Sequence, residues 1–161
     1  MKATKATQII IPKVNVTIDV WNVSGKKPRL IRREQRGNLA VLTGRNLLRD
    51  FLAGDAVTGL ERFAVGTDGT TVTANDTQLG VEVFRDQLTK ITKDVAKLTV
   101  QYYLSSISAN GNTLQEAGLF GNGATDTANS GTMYARVTHS AIEKTSSTAV
   151  TYTWDLTWEV T

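Results

Sequence analysis

The sequence predicts an all-β protein, a jelly-roll-like β-sandwich carrying one short α-helix around residues 43–53. Three observations lead there. In "TAVTYTWDLTWEVT" the residues Val150, Tyr152, Trp154, Leu156, Trp158 and Val160 are apolar, while Thr151, Thr153, Asp155, Thr157 and Glu159 between them are polar. Unbroken period two over that length is a long strand with one buried face. Threonine, which favours sheet surfaces, is the commonest residue at 24. Only one segment has helical spacing.

Taken in order, "NVTIDVWNV" alternates, with Val14, Val16, Ile18 and Val20 against Asn15, Thr17 and Asp19. In "TGRNLLRDFLAGD" the apolar residues Leu47, Leu48, Phe51 and Leu52 recur at i, i+1, i+4 and i+5, which predicts a helical stripe laid against a sheet. Thr43 is its expected N-cap and Gly54 the residue just past its end. "LERFAVGT" and "LGVEVFR" predict shorter strands. "KDVAKLTVQYYLSSI" predicts one strand with Val95, Leu98, Val100 and Tyr102 as its apolar beads. It ends at Asn110-Gly111, a hairpin signal because both residues tolerate positive φ. "GTMYARVTHSAIEKTSS" predicts another strand, with Met133, Ala135 and Val137 on one face and Tyr134, Arg136 and Thr138 on the other. The stretches 66–76 and 121–131 are long loops of small polar residues, either mobile or ordered by a neighbour.

At 161 residues, 40% hydrophobic and 20% charged, the chain is composed like one globular domain. The apolar run Ile9–Ile11 is too short for a signal-peptide core, and no stretch approaches a membrane span, so a soluble protein without membrane partners is expected. Residues 1–50 hold 11 Lys/Arg against 3 Asp/Glu, a net +8; residues 51–161 hold 7 against 12, a net −5. The cations cluster in "GKKPRLIRREQR": Lys26, Lys27, Arg29, Arg32, Arg33 and Arg36. Such a cluster fits a solvated edge, an electrostatic match to an acidic neighbour, or a phosphate-binding stripe. Nucleic acid is the weakest of the three, since Trp21 is the only aromatic residue there and stacking platforms use several.

Chemistry is poorly provided for. With no cysteine and one histidine, thiolate chemistry and His-rich metal sites are excluded within the chain. His139 neighbours Ser140, but adjacent strand residues point to opposite faces, so a strand histidine on a polar face is expected. "GTDGTT" lacks the Lys-Ser/Thr of a phosphate loop. Asp68, Asn75 and Asp76, or Asp126 and Asn129, offer hard oxygen donors without calcium-loop spacing. No catalytic residue, cofactor or metal is expected.

Glu116 stands in apolar company in "NTLQEAGLFG". A buried carboxylate without a catalytic partner persists only when hydrogen-bonded or paired. The expectation is a structural clasp in which Glu116 accepts backbone N–H bonds from a neighbouring turn or meets Arg136, with Gly118 permitting close approach or a kink.

The blocks "GNLAVLTGRNLLRDFLAGD", "FAVGTDGTTVTANDTQLGVEVFR", "NTLQEAGLFG" and "GTMYARVTHSAIEKTSSTAVTYTWDLTWEV" follow one another as in a family of small structural proteins of tailed bacteriophages, described as tail-fibre or minor tail proteins. The chain resembles that family over about residues 37–160, most specifically in Ala64–Arg85 and Leu114–Phe120. The resemblance implies a non-enzymatic virion component of the tail or neck: an adaptor, short fibre or ring that forms a homo-oligomer and docks on other virion proteins. A capsid decoration protein clamping capsomers is the nearest alternative, and a nucleic-acid-binding module the second. Residues 1–36 lie outside the resemblance and are expected to form a basic docking arm, with 37–161 as the sandwich. The six clustered cations are then the expected subunit or partner contact.

Overall fold

The structure is a computed structural model that describes residues 12–158. They form nine strands and one helix: β1 Lys13–Asn22, β2 Arg29–Ala40, α1 Leu42–Ala53, β3 Leu60–Gly66, β4 Glu82–Gln87, β5 Lys90–Asp94, β6 Lys97–Leu104, β7 Thr113–Gly121, β8 Thr132–Glu143 and β9 Thr148–Thr157. All pairings are antiparallel. One sheet runs β2-β1-β9-β6-β5 and the other β4-β3-β7-β8. β2 belongs to both: most of its length pairs with β1, and its last residues, Leu39 and Ala40, pair with Arg136 and Ala135 of β8. The chain passes between the sheets through β2 and again after β4, β6 and β8, while β1–β2, β3–β4, β5–β6 and β7–β8 pair within one sheet, giving the all-β sandwich that was expected.

The period-two segments supply the facing sides. Val14, Val16, Ile18 and Val20 of β1 and Tyr152, Trp154 and Leu156 of β9 are buried, and the register sets Val14 beside Leu156 and Val16 beside Trp154. Opposite them lie Phe63, Leu114, Ala117, Leu119 and Val137. Phe63 stacks on Tyr102 with ring centroids 4.2 Å apart and meets Trp154 edge-on at 5.7 Å. Aromatic pairs of this kind each add ~0.5–1.5 kcal/mol beyond their buried area.

Several local expectations are corrected. The segment beginning at Lys93 is not one strand: Val95 and Ala96 form the turn of a β5–β6 hairpin, with Val95 91% exposed and Ala96 at φ 49°. Asn110-Gly111 does make a turn, with Gly111 at φ 82°, but it joins β6 to β7 in different sheets. The buried Lys144 holds that turn, its Nζ donating to Asn110 Oδ1 at 2.8 Å while Gly111 N donates to its carbonyl. In β8 the expected faces are broken by a bulge. Leu119 pairs with Ala135 and Phe120 with Met133, so Tyr134 is the extra residue. Tyr134 consequently joins the inner core, and Met133 joins a small outer cluster with Phe120, Leu79, Ala64, Val41 and Ala124.

The helix matches its expected place but not its expected cap. Val41 precedes it without a side-chain cap bond, whereas the Thr43 hydroxyl donates to the Met133 carbonyl at 2.8 Å. Gly54 closes the helix at φ 86°, as a left-handed cap requires. Of the apolar stripe, Leu47 is buried, but Phe51 is 61% and Leu52 78% exposed.

The expected division at residue 36 falls inside β2. Residues 13–36 are not a separate arm: β1 is central in its sheet and its valines belong to the common core. The rest of that expected arm, residues 1–11, lies outside the described residues, as does Val160.

Candidate functional site

The outer face of the β3-β7-β8 sheet is covered by the two long polar loops. The structure brings Glu116, Gly118 and Arg136 together there. Glu116 on β7 is entirely buried. Its Oε1 accepts the amides of Val81 at 2.9 Å and Asp68 at 3.3 Å; its Oε2 accepts the Gly80 amide at 3.1 Å and Arg136 Nε at 2.8 Å. Arg136, on the neighbouring β8, reaches onward, donating from Nη1 to Asp76 at 2.8 Å and from Nη2 to Asp68 at 3.1 Å. One guanidinium thus serves three carboxylates, two of them in the loop between β3 and β4.

The glycines make room for this. A Cβ on Gly66 would lie 2.3 Å from Glu116 Oε1, and one on Gly80 would lie 1.9 Å from Asp68 Oδ2. Gly118 pairs with Arg136, and a Cβ there would press on Leu79 and Phe120 at 3.1 Å. Its role is therefore close approach under Leu79.

Electrostatics follow the bonds. Thr70, through hydroxyl and amide, and then Arg136 hold the Asp68 carboxyl below its ordinary value, although partial burial opposes them. Burial pushes Asp76 up, but Thr73 and Arg136 outweigh it and the net shift is down. Burial likewise works against the charged Arg136, yet its bonds to Asp76 and Glu116 hold it above its ordinary value.

The second loop, 122–131, is pinned in parallel. Arg85 pairs with Glu82 at 2.7 Å, lies over the Phe120 ring at 4.1 Å, and donates to the Ser130 carbonyl. Glu61 accepts the Ala124 amide at 2.8 Å and Glu82 that of Asn129 at 3.2 Å. Both loops are tied to the sheet by bonds within the chain.

This arrangement closes loops and leaves little for chemistry. Both oxygens of Glu116 are saturated by donors, so neither is free to shuttle a proton to a substrate. Asp68 and Asp76, considered above as calcium donors, spend their oxygens on Thr70, Thr73 and Arg136. Among the described residues no group of three or more acidic or histidine side chains is arranged to hold a metal. Asp68, Asp76 and Gly80 are partners of the Glu116–Arg136 pair beyond those expected from the sequence. The available signal was the pair Asp68-x-Thr70 and Thr73-x-x-Asp76, spacings at which Asp side chains bond their own turn.

The six clustered cations divide into two groups. Arg32 donates to the Ser140 and Ala141 carbonyls at 3.1 Å, Arg33 forks onto Asp19 at 2.6 and 2.7 Å, and Arg36 pairs with Glu34 at 2.6 Å. Glu34 also accepts the Ser140 amide, so Arg32 and Glu34 tie β2 to β8, while Arg33 ties β2 to β1. Lys26, Lys27 and Arg29 sit in the β1–β2 turn or just after it, are exposed, and have no ion-pair partner among the described residues. Beside them Leu30 and Ile31 are also exposed, Ile31 at 53%.

His139 is not on a polar face. It is buried, with Nδ1 3.0 Å from the Ser140 carbonyl and Nε2 3.1 Å from the Tyr152 hydroxyl. A carbonyl only accepts, so Nδ1 carries the proton and Nε2 accepts from Tyr152. Burial first of all depresses the imidazole pKa, with Arg32 and Arg36 adding to it against the Ser140 carbonyl and Glu34.

Comparison with protein-family models, with curated proteins and with solved structures found no match to this chain.

Proposed function

We propose that the chain is a structural protein of a tailed-bacteriophage virion. It forms a symmetric homo-oligomer in the tail or fibre-attachment apparatus and docks there on other virion proteins. The observation that carries this reading is the β1–β2 turn, where Lys26, Lys27 and Arg29 have no ion-pair partner among the described residues and lie beside exposed Leu30 and Ile31. Cations with adjoining apolar side chains suit a protein contact, whereas phosphate binding has no use for the apolar pair. Exposed acids that a neighbouring subunit could present include Asp55, Asp94, Asp126 and Glu143. A head-to-tail contact of this kind closes into a ring when its rotation allows.

The blocks that carry the family resemblance also support a structural role. Ala64–Arg85 runs from the end of β3 through the loop that bears Asp68 and Asp76 into β4; Leu114–Phe120 is the body of β7 with Glu116. Apart from Arg136 on β8 they carry the whole clasp, so the most specific part of the resemblance lies in what fastens the loop to the sheet.

Light scattering on the full chain tests the assembly. A defined oligomer that dissociates on Lys26→Glu, Lys27→Glu and Arg29→Glu together is expected, and a monomer with or without these changes would sink the oligomer. Reversing Arg32 and Arg33 is the poorer test, because both are committed to internal bonds. Antibody-gold labelling of intact particles tests position. Label at the tail or neck is expected. Label over the head would make the chain a decoration protein, and salt-sensitive retention of DNA would favour the nucleic-acid module.

A further inference from the structure

We infer that the seam between β2 and β8 is an acid-operated latch, in which uptake of a proton by His139 releases Arg32 and Glu34 from β8 and frees its edge at Ser140 and Ala141. The inference does not rest on the virion reading. Through their backbones β2 and β8 pair only at Leu39 with Arg136 and Ala40 with Ala135. Farther along the seam, side chains replace the ladder. Arg32 donates from Nη1 to the Ala141 carbonyl and from Nη2 to the Ser140 carbonyl, both at 3.1 Å, and Glu34 accepts the Ser140 amide at 3.2 Å. Letting go of these bonds leaves β2 paired with β1, so the seam can open while the rest of the sandwich holds.

The register shows why charged residues close this side of the sandwich. Residues opposite each other in an antiparallel pair point to the same face. Arg32, Glu34 and Arg36 lie opposite Val20, Ile18 and Val16, whose side chains are buried, so all three are on the inner side of their sheet. His139 is buried within electrostatic reach of all three. Its Nδ1–H and Arg32 Nη2 donate to the same Ser140 carbonyl, at 3.0 and 3.1 Å, and its Nε2 accepts from the Tyr152 hydroxyl at 3.1 Å. The histidine and the latch bonds therefore meet on one carbonyl oxygen.

Charge decides what acid does here. The groups facing His139 are Arg32, Glu34 and Arg36 from β2 and the uncharged Tyr152 from β9. Of these, the carboxylate is already engaged by Arg36 at 2.6 Å and by the Ser140 amide. A protonated imidazole adds like charge beside two guanidiniums, and its new Nε2–H points at a hydroxyl that already donates to it. Burial accordingly holds the imidazole below its ordinary value in the closed seam. With Arg32 and Glu34 released, the ring reaches water and regains its ordinary value near 6.5. Opening then takes up a proton below pH ~6.5, so the open fraction grows as the pH falls toward the lower closed-state value. Glu34 lets go at lower pH still. Burial pushes its carboxyl up, yet the bonds from Arg36 and Ser140 outweigh burial and hold it below the ordinary carboxylate range.

Amide exchange of the full chain, corrected for the intrinsic rate, reads the opening. Protection of the Ser140 amide, which Glu34 holds in the closed seam, should fall by about tenfold between pH ~7.5 and ~5.5. Low concentrations of urea should leave it unchanged, as in a local opening, while core amides of β1 and β9 lose protection. His139→Gln should make Ser140 protection independent of pH over that range. The chain's single histidine also gives a readout without any substitution. Its nitrogen shifts should report a neutral ring protonated on Nδ1 at pH ~7.5, gaining its second proton in step with the loss of Ser140 protection. Protection that stays flat with pH, or falls as much in His139→Gln, overturns the proposal. So does a neutral ring protonated on Nε2, or a urea dependence equal to that of the core, which would leave global unfolding as the opening observed.

Discussion

Arg136 Nε donates to Glu116 Oε2 at 2.8 Å, and both side chains are buried between a sheet and the loop that covers it. The relationship is asymmetric. Glu116 has three backbone donors besides Arg136, whereas Arg136 is the only cation bonded to Glu116, Asp68 and Asp76 among the described residues. Removing the arginine strands three carboxylates; removing the glutamate's charge leaves one cation with two.

Arg136→Gln should therefore cost more stability than Glu116→Gln. Breaking a buried pair by deleting its charge-balancing partner costs about 3–5 kcal/mol, while leaving a few buried donors poorly matched costs about 1–3 kcal/mol. Urea unfolding of both variants gives the order directly. Equal losses would mean that the backbone bonds of Glu116, not the charge balance, govern the clasp.

Asp68 and Asp76 give the clasp an acid limit. Both carboxyls titrate below their ordinary value in the folded protein. The unfolded chain takes up their protons first on acidification. Their contribution is thus complete above pH ~4 and is lost as the pH falls through the lower folded values. Asp68→Asn together with Asp76→Asn should flatten the stability profile below pH ~4, read by thermal unfolding at stepped pH. An unaltered acid slope would assign it to other carboxylates.

Gly44 is the point where α1 touches the sheet. A Cβ there would lie 2.1 Å from the Tyr134 carbonyl oxygen, a backbone atom that cannot rotate away, whereas a Cβ on Gly37 meets nothing within 4 Å. Gly44→Ala should destabilise by about 1–3 kcal/mol or more although alanine favours helices, and Gly37→Ala should be close to neutral. Denaturation midpoints of the two variants separate packing from propensity. A neutral Gly44→Ala would show that the helix can lift off the sheet freely.

What was legible in the sequence is the part governed by uninterrupted periodicity. β1 and β9 alternate without a break, and both lie in the core where that pattern puts them. The helix was visible in the spacing of Leu47, Leu48, Phe51 and Leu52, but which of them are covered depends on how far α1 overhangs the sandwich, a tertiary fact. Val95 looked like a strand bead because hydropathy cannot tell a turn from a strand when the turn residue is apolar. The bulge at Tyr134 shifts the alternation by one residue, so the faces of Met133 and Tyr134 could not follow from counting. Glu116 stood out as a carboxylate in apolar surroundings and Arg136 was a natural partner. Asp68, Asp76 and Gly80 are brought in by a loop folding back over the sheet, and no local pattern specifies that contact.

His139 should give the protein a second, milder pH dependence. In the fold its imidazole is neutral, with Nδ1–H donating to the Ser140 carbonyl and Nε2 accepting from Tyr152. Burial depresses its pKa below the ordinary value near 6.5. Between the unfolded and folded pKa values the unfolded chain binds the extra proton, so stability is full above pH ~6.5 and falls as the pH drops through that interval. Protonation also turns Nε2 into a donor aimed at a hydroxyl that already donates, and the buried Tyr152 would have to redirect its proton. His139→Gln, whose side chain offers an amide oxygen to Tyr152 and has no charge to gain, should remove the decline that sets in below pH ~6.5 while costing about 1 kcal/mol at neutral pH. Thermal midpoints of both proteins across that range decide the matter: parallel curves would mean that His139 stays neutral or equally charged in both states, and that the Tyr152 contact carries no titration.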